Sequence, residues 1–146
     1  MKIAIVASEF NKEITDQLIF GAIEEFKNNG FDSSESFDFF YVPGAFEIPS
    51  IVKNILAKKQ SDYDCIITFG CIIKGDTAHF EFISSSVFNS LSSLSIDTNT
   101  KIPILLGILT TYDYSQAVER SDPNKKNKGA EVMKAALQSI EIFRKI

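Results

Sequence analysis

Lys2-Ile3-Ala4-Ile5-Val6-Ala7-Ser8 opens the chain as an apolar run rich in β-branched residues. A run this short and this apolar reads as a buried strand. Ile14, Leu18, Ala22 and Phe26 then recur at every fourth position, which marks one face of a helix. Asn28-Asn29-Gly30 ends that helix, because glycine takes the left-handed C-terminal conformation at little cost. A buried strand followed at once by an amphipathic helix is the unit that decides the fold, provided it repeats.

It does repeat. Residues 36–42 read as a second strand, stopped by Pro43-Gly44, and Ile48, Ile51, Val52 and Ile55 form a second helical face. Residues 63–69 make a third strand with Gly70 at its end, and a helix from about residue 78 to 95 follows, with Thr77 as its N-cap. Residues 102–109 are the fourth strand. Two helices close the chain, the last showing Met133, Ala136, Leu137, Ile140 and Phe143 on one side. Strands separated by helices imply a parallel sheet with right-handed crossovers. Continuous apolar strands imply that helices cover both of its faces, giving a three-layer α/β/α sandwich of four parallel strands. The third helix is unusual in carrying Ser84, Ser85, Ser86, Ser90, Ser92 and Ser93. A solvated face and close packing against a second subunit both account for it.

At 146 residues, the expectation is one domain spanning residues 1–146. The charge balance, 15 basic against 19 acidic side chains, argues against nucleic acid and anionic membrane surfaces as partners. Glu9, Asn11 and Lys12 end the first apolar run too early for a signal peptide, and no stretch reaches a membrane span. Cys65 and Cys71 have no partners at metal-ligand spacing, so a reduced cytoplasmic chain is the simplest reading.

Ligands of parallel α/β sheets bind outside the carboxyl ends of the strands. That rule selects Glu9-Phe10-Asn11, Pro43-Gly44-Ala45-Phe46-Glu47, the segment from Cys71 to His79, and Thr110-Thr111. His79 is the only histidine, and histidine is the side chain suited to proton transfer near neutral pH. It falls in the first turn of the third helix, behind Gly75-Asp76-Thr77, where backbone N–H groups can bind an anion such as phosphate. A histidine that merely caps the turn fits the same position equally well. Arg120 suits bidentate phosphate recognition. Lys125 and Lys126 read as a solvated loop, and Glu47 as an acid favourably placed at a helix start. A Cys71–His79 nucleophile pair lacks a third residue to orient it, and Cys65 reads as inert core.

Taken together, several segments resemble the lumazine synthases. Pro43-Gly44-Ala45-Phe46-Glu47 is similar to their PGAFE signature. Gly70-Cys71-Ile72-Ile73-Lys74-Gly75-Asp76-Thr77-Ala78-His79-Phe80 resembles their G-[TC]-V-I-R-G-x-T-x-H-[FY] segment. Leu106-Gly107-Ile108-Leu109-Thr110-Thr111 looks like FGVLTT, and Gln116 to Arg120 with Asn127 to Glu131 looks like QAIERAG…NKGAE. Phe10-Asn11 matches an early aromatic-asparagine pair. The resemblance covers nearly the whole chain in the right order.

The resemblance implies a flavodoxin-like fold and one reaction of riboflavin synthesis. 5-Amino-6-(D-ribitylamino)uracil condenses with 3,4-dihydroxy-2-butanone 4-phosphate to 6,7-dimethyl-8-ribityllumazine, phosphate and water, with no metal or organic cofactor. It implies His79 as the catalytic residue and Phe10 stacked on the pyrimidine. Ala45, Phe46 and Glu47 with Cys71, Ile72 and Ile73 would hold the uracil and ribityl groups. Asp76, Thr77 and Arg120 would take the phosphate, with Lys128 bordering the pocket. The positions of Leu106, Arg120 and Lys128 would reach the site from a neighbouring subunit. A pentamer at minimum would then be part of the site, with five copies of the Ser-rich helix on its axis. Lys74 stands where arginine is usual, and Leu106 where phenylalanine is typical. The chain starts at its first strand, without the N-terminal segment many members carry, while the Arg120–Lys128 loop has the length found in members that build sixty-subunit capsids. Three rival readings are an archaeal-type riboflavin synthase, a flavin- or lumazine-binding module without catalysis, and a generic phosphate-ligand protein of the same fold.

Overall fold

In a computed structural model describing residues 1–146, the expected alternation forms one four-stranded sheet. The elements are β1 (Ile3–Ser8), α1 (Lys12–Asn28), β2 (Phe37–Val42), α2 (Ile48–Lys59), β3 (Cys65–Ile73), α3 (His79–Ser95), β4 (Ile104–Thr111), α4 (Tyr114–Ser121) and α5 (Lys128–Phe143). The strand order is β2-β1-β3-β4 and every pairing is parallel, as in flavodoxin-like folds. No helix is long and apolar enough to cross a membrane.

The pleat divides the core in two. Ile3, Ile5 and Ala7 of β1 point to one face, where Leu18 and Phe26 of α1 meet Ala117 of α4 and Met133 and Ile140 of α5. Ala4 and Val6 point to the other face, against Val52 and Ile55 of α2 and Val87 and Leu91 of α3. Alternate residues of one apolar strand therefore serve two helical layers, which is why the run carries no polar positions.

Four expectations need correction. The third strand does not stop before Gly70. It runs on to Ile73, because pairing with β4 continues through Gly70↔Ile108 to Ile73↔Thr111. Gly70 is an interior strand position whose missing Cβ leaves room for Ser8 Oγ, 3.0 Å from where that Cβ would sit. The fourth strand is shifted to Ile104–Thr111: Pro103, which has no N–H for the ladder, precedes its start, and Thr110 and Thr111 are strand rather than loop because they pair with Ile72 and Ile73 of β3. Thr77 is not the cap of α3. Ala78 holds that position, its carbonyl accepting from the Phe82 N–H, while Thr77 Oγ1 receives only a long 3.4 Å bond from the His79 N–H. Lastly, β2 is an edge strand and is not covered on both faces: Phe39 and Tyr41 stay 40% and 50% exposed.

Candidate functional site

The chain leaves β1 leftward to β2, then crosses back to β3 on the other side of β1. The carboxyl ends of β1 and β3 thus flank a reversal of direction, where an open α/β sheet forms its binding crevice. A cavity of about 460 Å³ lies there. Phe10 comes to it from the end of β1, and Gly44, Ala45, Phe46 and Glu47 from the turn after β2. Cys71, Ile72 and Ile73 form its wall along β3, followed by Gly75, Thr77 and His79 and by Phe80 and Ile83 of α3.

Local structure holds these groups in place. Asn11 adopts a left-handed conformation (φ 56°), which asparagine tolerates better than most residues. Its side-chain amide donates to the Cys71 carbonyl at 3.1 Å, tying the segment that carries Phe10 to the end of β3. The Asn11 carbonyl also accepts from the Ile14 and Thr15 N–H groups and so starts α1. Glu47 Oε2 accepts from the Gly44 N–H at 3.0 Å and closes the turn that presents Phe46. Phe10 and Phe46 stand 70% and 58% exposed at the rim. His79 is the first residue of α3, exposed toward the cavity, with no hydrogen bond or ion pair engaging its imidazole. Cys71 lines the same wall but is 2% exposed, and burial, with a smaller contribution from Glu13, pushes its thiol up to about 12. Burial and the raised thiol both argue against a cysteine nucleophile. Burial also pushes the Cys65 thiol up, and both cysteines are free. No group of three or more His, Cys, Asp and Glu side chains is gathered to hold a metal ion.

Most of the sequence-predicted residues are brought together here: Phe10, Ala45, Phe46, Glu47, Cys71, Ile72, Ile73, Thr77 and His79 share one cleft. Asp76 lies beside it in the exposed turn but does not line it. Three residues fall elsewhere. Leu106 sits on the outer edge strand β4, 43% exposed. Arg120 and Lys128 line a separate cavity of about 300 Å³ with Ile108, Leu109 and Thr110. Arg120 also lines a neighbouring cleft of about 400 Å³ with Ser84, Ser85 and Tyr112. The only hydrogen bond of its guanidinium is a 3.3 Å contact with the Gln116 carbonyl in its own helix, which leaves its fork free. Lys128 pairs with Glu131 at 2.6 Å. Phe80 touches both the His79 cavity and the Arg120 cleft, and so stands in the wall between them.

Sequence reasoning did not single out Asn11 as a tie, nor Phe80 and Ile83 as lining. For Ile83 the signal was present, since it follows His79 by four residues and so shares its helix face.

The cleft gathers groups that can bind a flat ring and an anion beside a side chain able to move a proton. It offers aromatic rims for a flat ring, polar backbone along β3, a turn before a helix N-terminus for an anion, and one free imidazole. Comparison with known proteins agrees with this. The sequence model of the 6,7-dimethyl-8-ribityllumazine synthase family matches residues 1–144. A 6,7-dimethyl-8-ribityllumazine synthase of Leuconostoc mesenteroides is 46% identical over 145 residues, 99% of this chain and 90% of that one. Enzymes of the same name from Yersinia pestis and Yersinia pseudotuberculosis are 40% identical over 145 residues, with the same coverage.

Proposed function

This chain belongs to the 6,7-dimethyl-8-ribityllumazine synthase family, and we propose that its active site is completed between two copies of the chain. The reaction condenses 5-amino-6-(D-ribitylamino)uracil with 3,4-dihydroxy-2-butanone 4-phosphate to 6,7-dimethyl-8-ribityllumazine, with release of phosphate and water. The pyrimidine stacks on Phe10. Ala45, Phe46 and Glu47 and the β3 residues Cys71, Ile72 and Ile73 hold the uracil and its ribityl chain. Asp76 and Thr77 present the backbone N–H groups ahead of α3 to the phosphate.

The amine attacks the ketone carbonyl with loss of one water, phosphate is eliminated, and the ribitylamino nitrogen closes the ring on the remaining carbonyl with loss of a second water. Each stage moves protons between nitrogen, carbon and oxygen, and His79 is the only side chain in the cleft suited to give and take them at neutral pH. Holding two small molecules in one orientation supplies much of the acceleration. The carrying observation is a division: His79 and the aromatic rims share one cleft, while Leu106, Arg120 and Lys128 line none of it. A ring in which the β4–α4–α5 side of one copy meets the cleft of the next supplies the missing cations, and a pentamer is such a ring. The buried free thiols fit a reducing cytoplasm.

The test combines turnover with complementation. The protein and both substrates should form the lumazine chromophore well above the uncatalysed rate. His79→Ala should slow turnover by roughly a hundredfold, and Arg120→Ala should mainly weaken use of the phosphorylated ketone. Unfolded together and reassembled in equal amounts, the two variants should recover about a quarter of wild-type sites, since one ring interface in four joins an intact His79 to an intact Arg120. No recovery from properly assembled mixtures would mean that each site lies within one subunit.

A further inference from the structure

We propose that Lys74 is a positioning residue for the reaction: with Glu81 and Tyr112 it clasps the turn of residues 75–78 that receives the phosphate. The inference rests on the reading of that turn as the phosphate site. Lys74 follows the last residue of β3, and its backbone N–H donates to the Thr111 carbonyl at 2.9 Å, so its root is fixed to the end of β4. From there the ammonium reaches across the turn to Glu81 Oε1 in the first turn of α3, 3.9 Å away. It also lies 5.7 Å from the centre of the Tyr112 ring. That ring in turn packs 6.4 Å from Phe80, the neighbour of His79 in the wall of the cleft.

The turn has little else to hold it. A Cβ added at Gly75 would meet nothing within 4 Å, and Asp76, Thr77 and Ala78 are exposed. Their one side-chain hydrogen bond is the 3.4 Å contact between Thr77 Oγ1 and the His79 N–H. The Lys74–Glu81 pair therefore spans the two ends of a loose turn. Tyr112 couples it to the loop that leads into α4, the helix of Arg120. Both partners of the pair are about half exposed, with side-chain exposures of 47% and 56%. A screened ion pair and an exposed cation–π contact are each weak, so the expected effect is a few-fold change in phosphate affinity rather than loss of activity.

A simple through-space attraction between Lys74 and phosphate would also weaken binding when the charge is lost, and Glu81 separates the two ideas. Removing the Glu81 charge frees the lysine, so attraction alone predicts tighter phosphate binding in Glu81→Gln. A clasp predicts weaker binding, because the turn has lost its tie.

The experiment uses the assembled enzyme and measures kcat, KM for each substrate, and inhibition by inorganic phosphate. Lys74→Met keeps the stem and deletes the charge. It should raise both KM for the phosphorylated ketone and the phosphate inhibition constant about threefold. KM for the pyrimidine and kcat should stay nearly unchanged. Lys74→Arg should restore wild-type values, and Glu81→Gln should shift phosphate in the same direction as Lys74→Met. Tighter phosphate in Glu81→Gln, or equal effects of Lys74→Met on both substrates, would overturn the clasp. If phosphate competes with the ketone but ignores all three substitutions, the clasp alone fails. If phosphate does not compete with the ketone in the wild-type enzyme, the phosphate reading of the turn fails and takes the clasp with it.

Discussion

Gly129→Ala is a substitution for which sequence and structure predict opposite signs. Gly129 is the second residue of α5, and replacing a helical glycine by alanine ordinarily stabilises by up to about 1 kcal/mol. Here α5 lies against α1. The added Cβ would press into the Leu18 carbonyl oxygen, well inside contact distance, 2.9 Å from the Leu18 carbonyl carbon and 3.0 Å from the Ala22 nitrogen. All three atoms belong to the α1 backbone, so no side chain can rotate away and one helix must move. Overpacking of this kind costs about 1–3 kcal/mol and occasionally more; contact with rigid backbone places it at the upper end. After the propensity gain, a net loss of about 2 kcal/mol is expected. Urea unfolding at fixed protein concentration measures it as a lower midpoint with an unchanged slope. Gly75→Ala, which opens into free space, is the control and should leave the midpoint nearly unmoved. A Gly129→Ala midpoint at or above wild type would refute the close α1–α5 approach, and with it the placement of neighbouring Lys128.

Two further outcomes are open to direct measurement. Burial holds the Cys71 thiol near 12, so neither it nor Cys65 should react with a disulfide reagent at pH 8 in the native protein, and both should react once unfolded; rapid native labelling of Cys71 would mean that the cleft wall opens. The Lys2 ammonium and then the Tyr63 hydroxyl hold the Asp38 carboxyl below its ordinary range. The stability this contributes is present above about pH 4 and lost as pH falls through the lowered value, so Asp38→Asn should flatten the acid limb of a stability–pH curve; an unchanged limb would show that the pair adds nothing.

The alternation of strands and helices was legible because each element writes its own period into the chain. The four-residue recurrence from Ile14 to Phe26 and the unbroken run from Ile3 to Ala7 depend only on which faces are buried. Most of the cleft was legible for the same reason: three of its segments directly follow strands or turns that local patterns mark. Misreadings fell where a distant partner decides. Gly70 looks like a stop, yet β4 pairs across it, and β2 looks as apolar as the central strands although it lies at the edge. No local signal announces that the Asn11 amide reaches the Cys71 carbonyl, or that Gly129 is needed to let α5 approach α1. The separation of Arg120 and Lys128 from His79 also leaves no period in the chain; only the resemblance implied it, and the tertiary structure puts them in different cavities. Periodicity records what one element presents to its surroundings; which element it meets is set by pairing and packing between residues far apart in the chain, and those leave no period to read.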